Sequence, residues 1–131
     1  MNTTMLDLLE RDEIDSGEFS NFDYSNAVII NKEISFTTFK NCNFSDAKMK
    51  EAKFINCQIE ESYFQNTYLC GSDFQKTRFK ETLFSKCDLR KSNFENSTGY
   101  SIDPRENRIE KCTFTVPDVL GLLNCFDIHI K

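Results

Sequence analysis

Large apolar side chains recur at every fifth position of the chain from Phe19 to Phe94, without a break. The sixteen positions are Phe19, Tyr24, Ile29, Ile34, Phe39, Phe44, Met49, Phe54, Ile59, Phe64, Leu69, Phe74, Phe79, Phe84, Leu89 and Phe94. A helix buries residues three or four apart, and a strand buries every second residue. Because a spacing of five fits neither, the chain must change direction once in each five-residue unit.

The position two residues before each large side chain is also regular, because it holds a small residue. From residue 37 onward it is occupied by Thr37, Cys42, Ala47, Ala52, Cys57, Ser62, Thr67, Ser72, Thr77, Thr82, Cys87 and Ser92. The other three positions of the unit are polar and varied. Such a unit is one side of a polygon with both special positions pointing inward. Four sides make a coil of 20 residues, and backbone hydrogen bonds join coils about 4.8 Å apart.

The pattern resembles the pentapeptide-repeat family, whose consensus is A(D/N)Lxx with Leu or Phe at the centre. The segments SDAKMKEAKF and SKCDLRKSNF match it closely. The resemblance is strong over residues 37–94 and weaker over residues 17–36. It implies an all-β solenoid, a right-handed quadrilateral β-helix, with about four coils in residues 17–94. Because Phe22 and Lys32 occupy small positions, we expect an irregular first coil.

The chain is expected to form a single domain over residues 1–131, with a cap over each end of the solenoid. Residues 1–16 form the N-terminal cap in this interpretation. Thr3 or Thr4 can begin a short helix over residues 4–12, with Asp7 three residues further on and an apolar stripe to cover the first coil.

The C-terminal third is predicted to contain a loop and one last repeat unit in residues 95–114, then a helix from Thr115 and a short strand within residues 115–131. This region is similar to the C-terminal cap of many bacterial pentapeptide-repeat proteins, which in some of them joins two subunits. We therefore expect a homodimer. The candidate interface residues are Leu120, Leu123, Phe126, Ile128 and Ile130.

The charge distribution bears on nucleic-acid partners. The net charge of the chain is −5, but residues 37–94 carry ten bases against seven acids. The overall acidity of the chain and the lack of a concentrated basic stripe argue against direct nucleic-acid binding. Resemblance to the quinolone-resistance branch of the family would imply a different function, that of an acidic rod occupying the DNA-binding saddle of gyrase. Such a mimic needs many carboxylates along its body.

Candidate catalytic, cofactor-binding and metal-binding residues are not found, so we predict a protein that is not an enzyme. His129 is the only histidine, and the six cysteines form no CxxC pair. We expect the cysteines to be reduced, buried thiols. The sequence has no apolar run of about 18 residues and no secretory signal. The expected location is therefore the cytoplasm, without membrane association.

The expected function is that of a protein-interaction or scaffold module with an unidentified protein partner. Outward positions are mostly charged or amide, but one face carries Asn43, Tyr63 and Leu83 at 20-residue spacing. Tyr68 holds the equivalent position on the next face. Exposed aromatic and aliphatic residues are typical of interface cores, so Tyr63, Tyr68 and Leu83 are the candidate binding residues. The alternative is that Tyr63 and Leu83 only stabilise neighbouring coils.

Overall fold

The computed structural model describes residues 3–131, and the quadrilateral β-helix expected from the sequence is confirmed. The inward register begins at Ile14 and runs to Phe114. The solenoid therefore has about five coils rather than four, because the repeat continues past residues 17–94 at both ends.

Twelve sides of the coils contain a strand of two or three residues, which is short because the chain must turn before the next side begins. The strands are β1 (Glu13–Asp15), β2 (Glu18–Ser20), β3 (Glu33–Ser35), β4 (Thr38–Lys40), β5 (Lys53–Ile55), β6 (Gln58–Glu60), β7 (Tyr63–Gln65), β8 (Arg78–Lys80), β9 (Leu83–Ser85), β10 (Asn93–Phe94), β11 (Ser101–Ile102) and β12 (Thr113–Phe114). Single β-bridges join coils on the remaining sides.

Every strand pairs in parallel with the strand one coil away. Ile14 pairs with Ile34, and Ile34 pairs with Phe54, so the offset is 20 residues as the five-residue unit predicts. We number the four faces by their central residues. Face 1 is centred on Phe19, Phe39, Ile59 and Phe79; face 2 on Tyr24, Phe44, Phe64 and Phe84; face 3 on Ile29, Met49, Leu69 and Leu89; and face 4 on Ile14, Ile34, Phe54, Phe74 and Phe94.

Stacked aromatic rings fill the axis of the solenoid. The ring of Phe64 lies between those of Phe44 and Phe84, with centroids 4.9 and 4.7 Å away and planes within 8°. Rings of different faces meet edge to face, as Phe64 and Phe74 do at 6.2 Å and 84°. Both arrangements are favoured by the charge distribution of the rings. The coil spacing therefore matches the stacking distance of the side chains that it brings together.

The small inward residues form a ladder of hydrogen bonds as well as saving space. The hydroxyl of Thr82 donates to the Ile59 carbonyl at 3.0 Å and accepts the Ser62 amide at 3.3 Å. The Cys87 thiol donates to the Phe64 carbonyl at 2.9 Å. These side chains satisfy buried backbone groups that the strand pairing leaves free. Ser, Thr and Cys are therefore preferred at the small positions for their hydrogen bonds to the backbone as well as for their size.

The residue two places after each central residue turns the chain through a left-handed backbone conformation. Asparagine stands at seven of these corners, with φ between 51° and 63°: Asn21, Asn26, Asn31, Asn41, Asn56, Asn66 and Asn96. Asparagine tolerates this conformation better than most other residues with a side chain. The asparagine-rich composition is therefore a direct consequence of one corner every five residues.

The N-terminal cap is the predicted short helix, α1 (Met5–Glu10), which begins after Thr4. The Asp7 carboxylate accepts the backbone N–H of Thr4 at 2.8 Å, which satisfies a donor at the start of the helix. Leu8 is fully buried on the first coil. The hydroxyl of Thr3, by contrast, accepts the amide of Glu18 at 3.1 Å and ties the cap to the rod.

The irregular first coil expected from Phe22 and Lys32 is not found in the backbone, which keeps the 20-residue pairing through β1 and β3. Lys32 is 7% exposed, and its ammonium donates to the Leu9 carbonyl at 3.1 Å. A cation there satisfies the C-terminal end of α1. The Phe22 ring packs edge to face on Phe19 and Tyr24. Both exceptional residues therefore hold the cap in place.

Residues 95–114, predicted to be a loop with one repeat unit, complete a further coil. The offset shortens to 18 residues where Ile102 pairs with Phe84, and returns to 20 where Arg108 bridges to Asp88. Gly99 makes the short corner possible, because a Cβ there would lie 2.1 Å from the Phe79 carbonyl oxygen. The side chain that fills the axis comes instead from Tyr100, whose ring centroid is 5.5 Å from that of Phe94.

The C-terminal helix is a 3₁₀-helix spanning Asp118–Phe126, so it begins later than predicted. The hydroxyl of Thr115 accepts the amide of Asn96 at 3.0 Å and so continues the coil instead of starting a helix. The predicted terminal strand is wrong: residues 127–131 are exposed and form no strand. A strand needs a neighbouring chain for its backbone hydrogen bonds, and none is paired with this segment in residues 3–131.

Side-chain size at the inward positions should control stability. Phe64→Ala should lower the free energy of unfolding by about 3–5 kcal/mol, because it leaves a cavity inside a ring stack. Thr77→Phe should cost about 1–3 kcal/mol by overpacking a corner. The outward Lys76→Ala should stay within about 0.5 kcal/mol. Urea denaturation measures all three, and equal stabilities of the Phe64 and Lys76 variants would contradict the register.

The hydrogen-bond ladder can be tested apart from size with Thr77→Val. The Thr77 hydroxyl donates to the Phe54 carbonyl and accepts the Cys57 amide at 3.2 Å. Valine keeps the shape but leaves both buried groups unpaired, so the free energy of unfolding should fall by about 1–3 kcal/mol. Thr38→Val, at an outward position, is the matched control and should change it by less than about 0.5 kcal/mol. No difference between the two in urea denaturation would refute the ladder.

Candidate interaction surface

Tyr63 and Leu83 form an exposed apolar pair on face 2. They are directly paired residues of β7 and β9, and their side chains are 53% and 48% exposed. Asn43 bridges to Tyr63 from the coil before, and Ser101 pairs with Leu83 from the coil after. The predicted column of three residues is therefore present, with the apolar pair between two polar neighbours.

Tyr68 lies around the corner from this pair, on face 3, as the sequence predicts. It bridges to Lys48 on one side and Asp88 on the other. A shallow, mainly apolar groove of about 370 Å³ lies beside its ring. The groove, which we call the Tyr68 groove, is lined by Ile30, Asp46, Ala47, Lys48, Lys50, Asn66 and Tyr68. The three candidate binding residues thus belong to two separate surfaces.

Besides Leu6 of the N-terminal cap and Val116 before the C-terminal helix, three further apolar residues are exposed that were not identified from the sequence. Val28 and Ile30 lie on face 3, where Val28 bridges to Lys48 below Tyr68. Both flank the central residue Ile29 at outward positions, so the five-residue register already places them on the surface. Phe36 is 63% exposed and stands at a left-handed corner with φ 50°. An aromatic residue is disfavoured there, both because the position is exposed and because the backbone is left-handed. In the sequence, the signal was that Phe36 stands at a corner position where asparagine is common.

The five candidate dimer residues of the C-terminus have different environments. Leu120, Ile128 and Ile130 are exposed, whereas Leu123 is half-buried. The ring of Phe126 lies 5.2 Å from the guanidinium of Arg105, which packs over its face. The exposed aliphatic residues are therefore free to meet another molecule, while two of the five are partly used within the chain.

Five of the six thiols are poorly suited to nucleophilic chemistry. All six cysteines are free, and three of them are buried. Burial raises the pKa of Cys57 to about 12 and that of Cys112 to about 11. It also raises the pKa of Cys42, Cys87 and Cys125. A thiol with a raised pKa is protonated at neutral pH, and only the thiolate is an effective nucleophile.

The described part of the chain offers no candidate metal site and no candidate membrane-spanning helix. Residues 3–131 contain no group of three His, Cys, Asp or Glu side chains arranged to hold a metal ion. The same residues include no helix with the length and apolar character to cross a bilayer. His129 is exposed near the C-terminus.

Two of the solved structures similar to this chain are described as pentapeptide-repeat proteins. One, from the thylakoid lumen of Arabidopsis thaliana, is 20% identical with a TM-score of 0.54, covering 71% of this chain and 67% of its own. Rfr23 from the cyanobacterium Cyanothece 51142 is 8% identical with a TM-score of 0.49, covering 79% and 84%. QnrB1, a plasmid-mediated fluoroquinolone resistance protein, is 16% identical with a TM-score of 0.27, covering 88% and 90%. The first likeness supports the fold alone.

Sequence comparison places the chain in a family. No curated protein sequence is close enough to count as a relative. The family model described as a pentapeptide repeat region matches residues 37–115, more than half of the chain. The match covers the regular repeats of residues 37–94 and continues through the shortened coil that follows them. With its coils, inward register and family match in agreement, the chain belongs to the pentapeptide-repeat family.

Proposed function

We propose that this protein is a non-catalytic interaction module whose rigid rod presents side chains to a protein partner. The observation that carries the proposal is the exposed pair of Tyr63 and Leu83 on face 2. Tyrosine is enriched in protein interfaces because it offers a large apolar ring with a polar end. The filled axis and the protonated thiols support a role without catalysis.

The geometry of the pair suits a docking site. Both residues belong to three-residue strands held on each side by parallel pairing, so their backbone is fixed before any partner arrives. A preordered surface loses little entropy on binding. The competing interpretation, that the pair only stabilises adjacent coils, predicts a contribution of about 0.2–1 kcal/mol to folding and none to binding.

The gyrase-directed DNA mimic implied by one branch of the family is not favoured by the charges. Face 4 is the most acidic face, with five carboxylates, Glu13, Asp15, Glu33, Asp73 and Glu95, against two lysines, Lys53 and Lys76. Lys53 lies 3.6 Å from Glu33 and interrupts the row. A mimic of duplex DNA needs a denser run of negative charge, because DNA carries one charge per about 1.7 Å.

The test of the proposal is the double variant Tyr63→Ser with Leu83→Ser. It should melt close to the wild type but lose a protein captured by the wild type from native lysate. Gln58→Ser with Arg78→Ser is the matched control, because these residues are also paired across adjacent coils, on face 1. The control should keep the captured protein. A photo-crosslinking residue at position 63, but not at 58, should label it.

The proposal is wrong if the Tyr63 and Leu83 variant keeps every protein that the wild type captures. It is equally wrong if the variant unfolds, since the pair would then be structural. Loss of the same protein by both double variants would also contradict it, because binding would not depend on face 2.

We further propose that the C-terminus forms a homodimer through Leu120, Ile128 and Ile130, with Leu123 and Phe126 at the margin. The support is the exposure of three aliphatic side chains at one end of the rod, in or next to residues 127–131, which pair with no strand within residues 3–131. A second copy could cover the side chains and pair the segment.

Light scattering should therefore give twice the chain mass of 15.3 kDa at high micromolar concentration. Ile128→Ser with Ile130→Ser should give a monomer, because it removes the apolar contact. Val28→Ser with Ile30→Ser, an exposed apolar pair at the other end of the rod, is the control and should remain dimeric. A wild-type monomer under these conditions would refute the dimer.

A further inference from the structure

Stacking concentrates positive charge on face 3, although no basic stripe is visible along the sequence. The outward positions of this face hold six cations, Lys48, Lys50, Arg90, Lys91, Arg108 and Lys111, against three carboxylates, Glu51, Asp88 and Glu110, a net charge of +3. Face 4, which adjoins it, has five carboxylates against two lysines, a net charge of −3. The chain is acidic overall, yet one side of the rod is basic.

The cations of face 3 are not all neutralised within the protein. Arg90 is 2.7 Å from Asp88, and Arg108 is 4.0 Å from Glu110. The hydrogen bond from Arg90 also lowers the pKa of Asp88, so this carboxylate stays ionised. Within residues 3–131, the remaining four cations have no carboxylate within ion-pair distance: Lys48, Lys50, Lys91 and Lys111. They are available to an anionic partner.

Two of these lysines flank the Tyr68 groove. Lys48 and Lys50 lie on either side of the inward Met49, with Ile30 in the coil before and Tyr68 in the coil after. Their aliphatic stems contribute to the apolar lining while their ammonium groups remain in water. The groove also has one carboxylate at its edge, Asp46, which accepts a hydrogen bond from the Asn66 side-chain amide at 2.7 Å. With two unpaired lysines against this one hydrogen-bonded carboxylate, the groove fits a side chain that is apolar itself but has acidic neighbours.

We propose that face 3 binds an acidic peptide segment, with an apolar side chain in the Tyr68 groove and carboxylates on Lys48 and Lys50. Further carboxylates would reach Lys91, two coils or about 10 Å along the rod. An extended segment covers that distance in about three residues. This inference rests on the proposed function, because it takes the rod to be a protein-binding module, and adds the chemistry of a partner.

A nucleic acid fits face 3 less well. Its phosphates form a continuous row, whereas the third coil of this face carries Tyr68, Cys70 and Gly71 without any charge. The acidic face 4 adjoins face 3 and would repel a polyanion, since charges act over a Debye length of about 8 Å at physiological salt. A short acidic peptide can instead place its apolar side chain beside the uncharged third coil and its carboxylates on the cations of the second and fourth coils.

Direct binding to purified full-length protein tests the inference. The probe is a fluorescent short peptide of Glu and Asp residues with one central Leu, followed by anisotropy at low salt. Lys48→Glu with Lys50→Glu should weaken its binding at least about tenfold, and replacing the central Leu by Ser should weaken it about fivefold. Lys76→Glu with Lys80→Glu, which changes the net charge equally on other faces, should weaken it less than about threefold.

The outcomes separate this inference from the proposed function. Equal loss with both charge-reversed variants, equal affinity of the Leu and Ser peptides, or absence of binding would overturn it. Tighter binding of single-stranded DNA or of anionic lipid vesicles at the same lysines would also overturn it in favour of those ligands. The Tyr63→Ser with Leu83→Ser variant should bind the peptide normally, because it alters face 2; its loss of a cellular partner bears on the proposed function alone.

Discussion

Backbone hydrogen bonds between residues about 20 positions apart hold each coil to the next, and every other feature depends on that register. Tyr63 donates to the Cys42 carbonyl at 3.1 Å, and Phe44 donates to the Tyr63 carbonyl at 2.8 Å. A slip of one residue would turn the large side chains outward and break the aromatic stacks. The same pairing sets the ring spacing on the axis, the hydroxyl ladder at the corners and the rows of outward side chains.

The sequence predicts the parts of this fold that are decided within one five-residue unit. The central and small positions, the four columns and the N-terminal helix follow from local spacing. The role of Lys32 could not be predicted, because its partner, the Leu9 carbonyl, belongs to the cap above it. The short corner at Gly99 and the substitution of Tyr100 for a central residue depend on the coil below, which no local pattern specifies.

The same reasoning explains why the candidate surfaces were only partly predicted. Tyr63 and Leu83 were visible because two unusual residues stand 20 positions apart. The basic character of face 3 was hidden, because its cations come in three pairs, in the second, fourth and fifth coils, and residues of the other three faces separate these pairs in the sequence. Stacking, rather than composition, brings Lys48 and Lys50 beside Ile30 and Tyr68. Each surface of this rod therefore consists of columns of residues that are 20 positions apart in the sequence.

Scalar couplings through hydrogen bonds, measured by nuclear magnetic resonance on the uniformly labelled protein, test the 20-residue register most directly. Each coupling identifies one donor amide and its acceptor carbonyl without any assumption about side chains. The structure predicts couplings from the Tyr63 amide to the Cys42 carbonyl and from the Phe44 amide to the Tyr63 carbonyl, with the same offsets repeated from coil to coil. Couplings at offsets of about 15 or 25 residues, as in a three-sided or five-sided coil, would contradict the account.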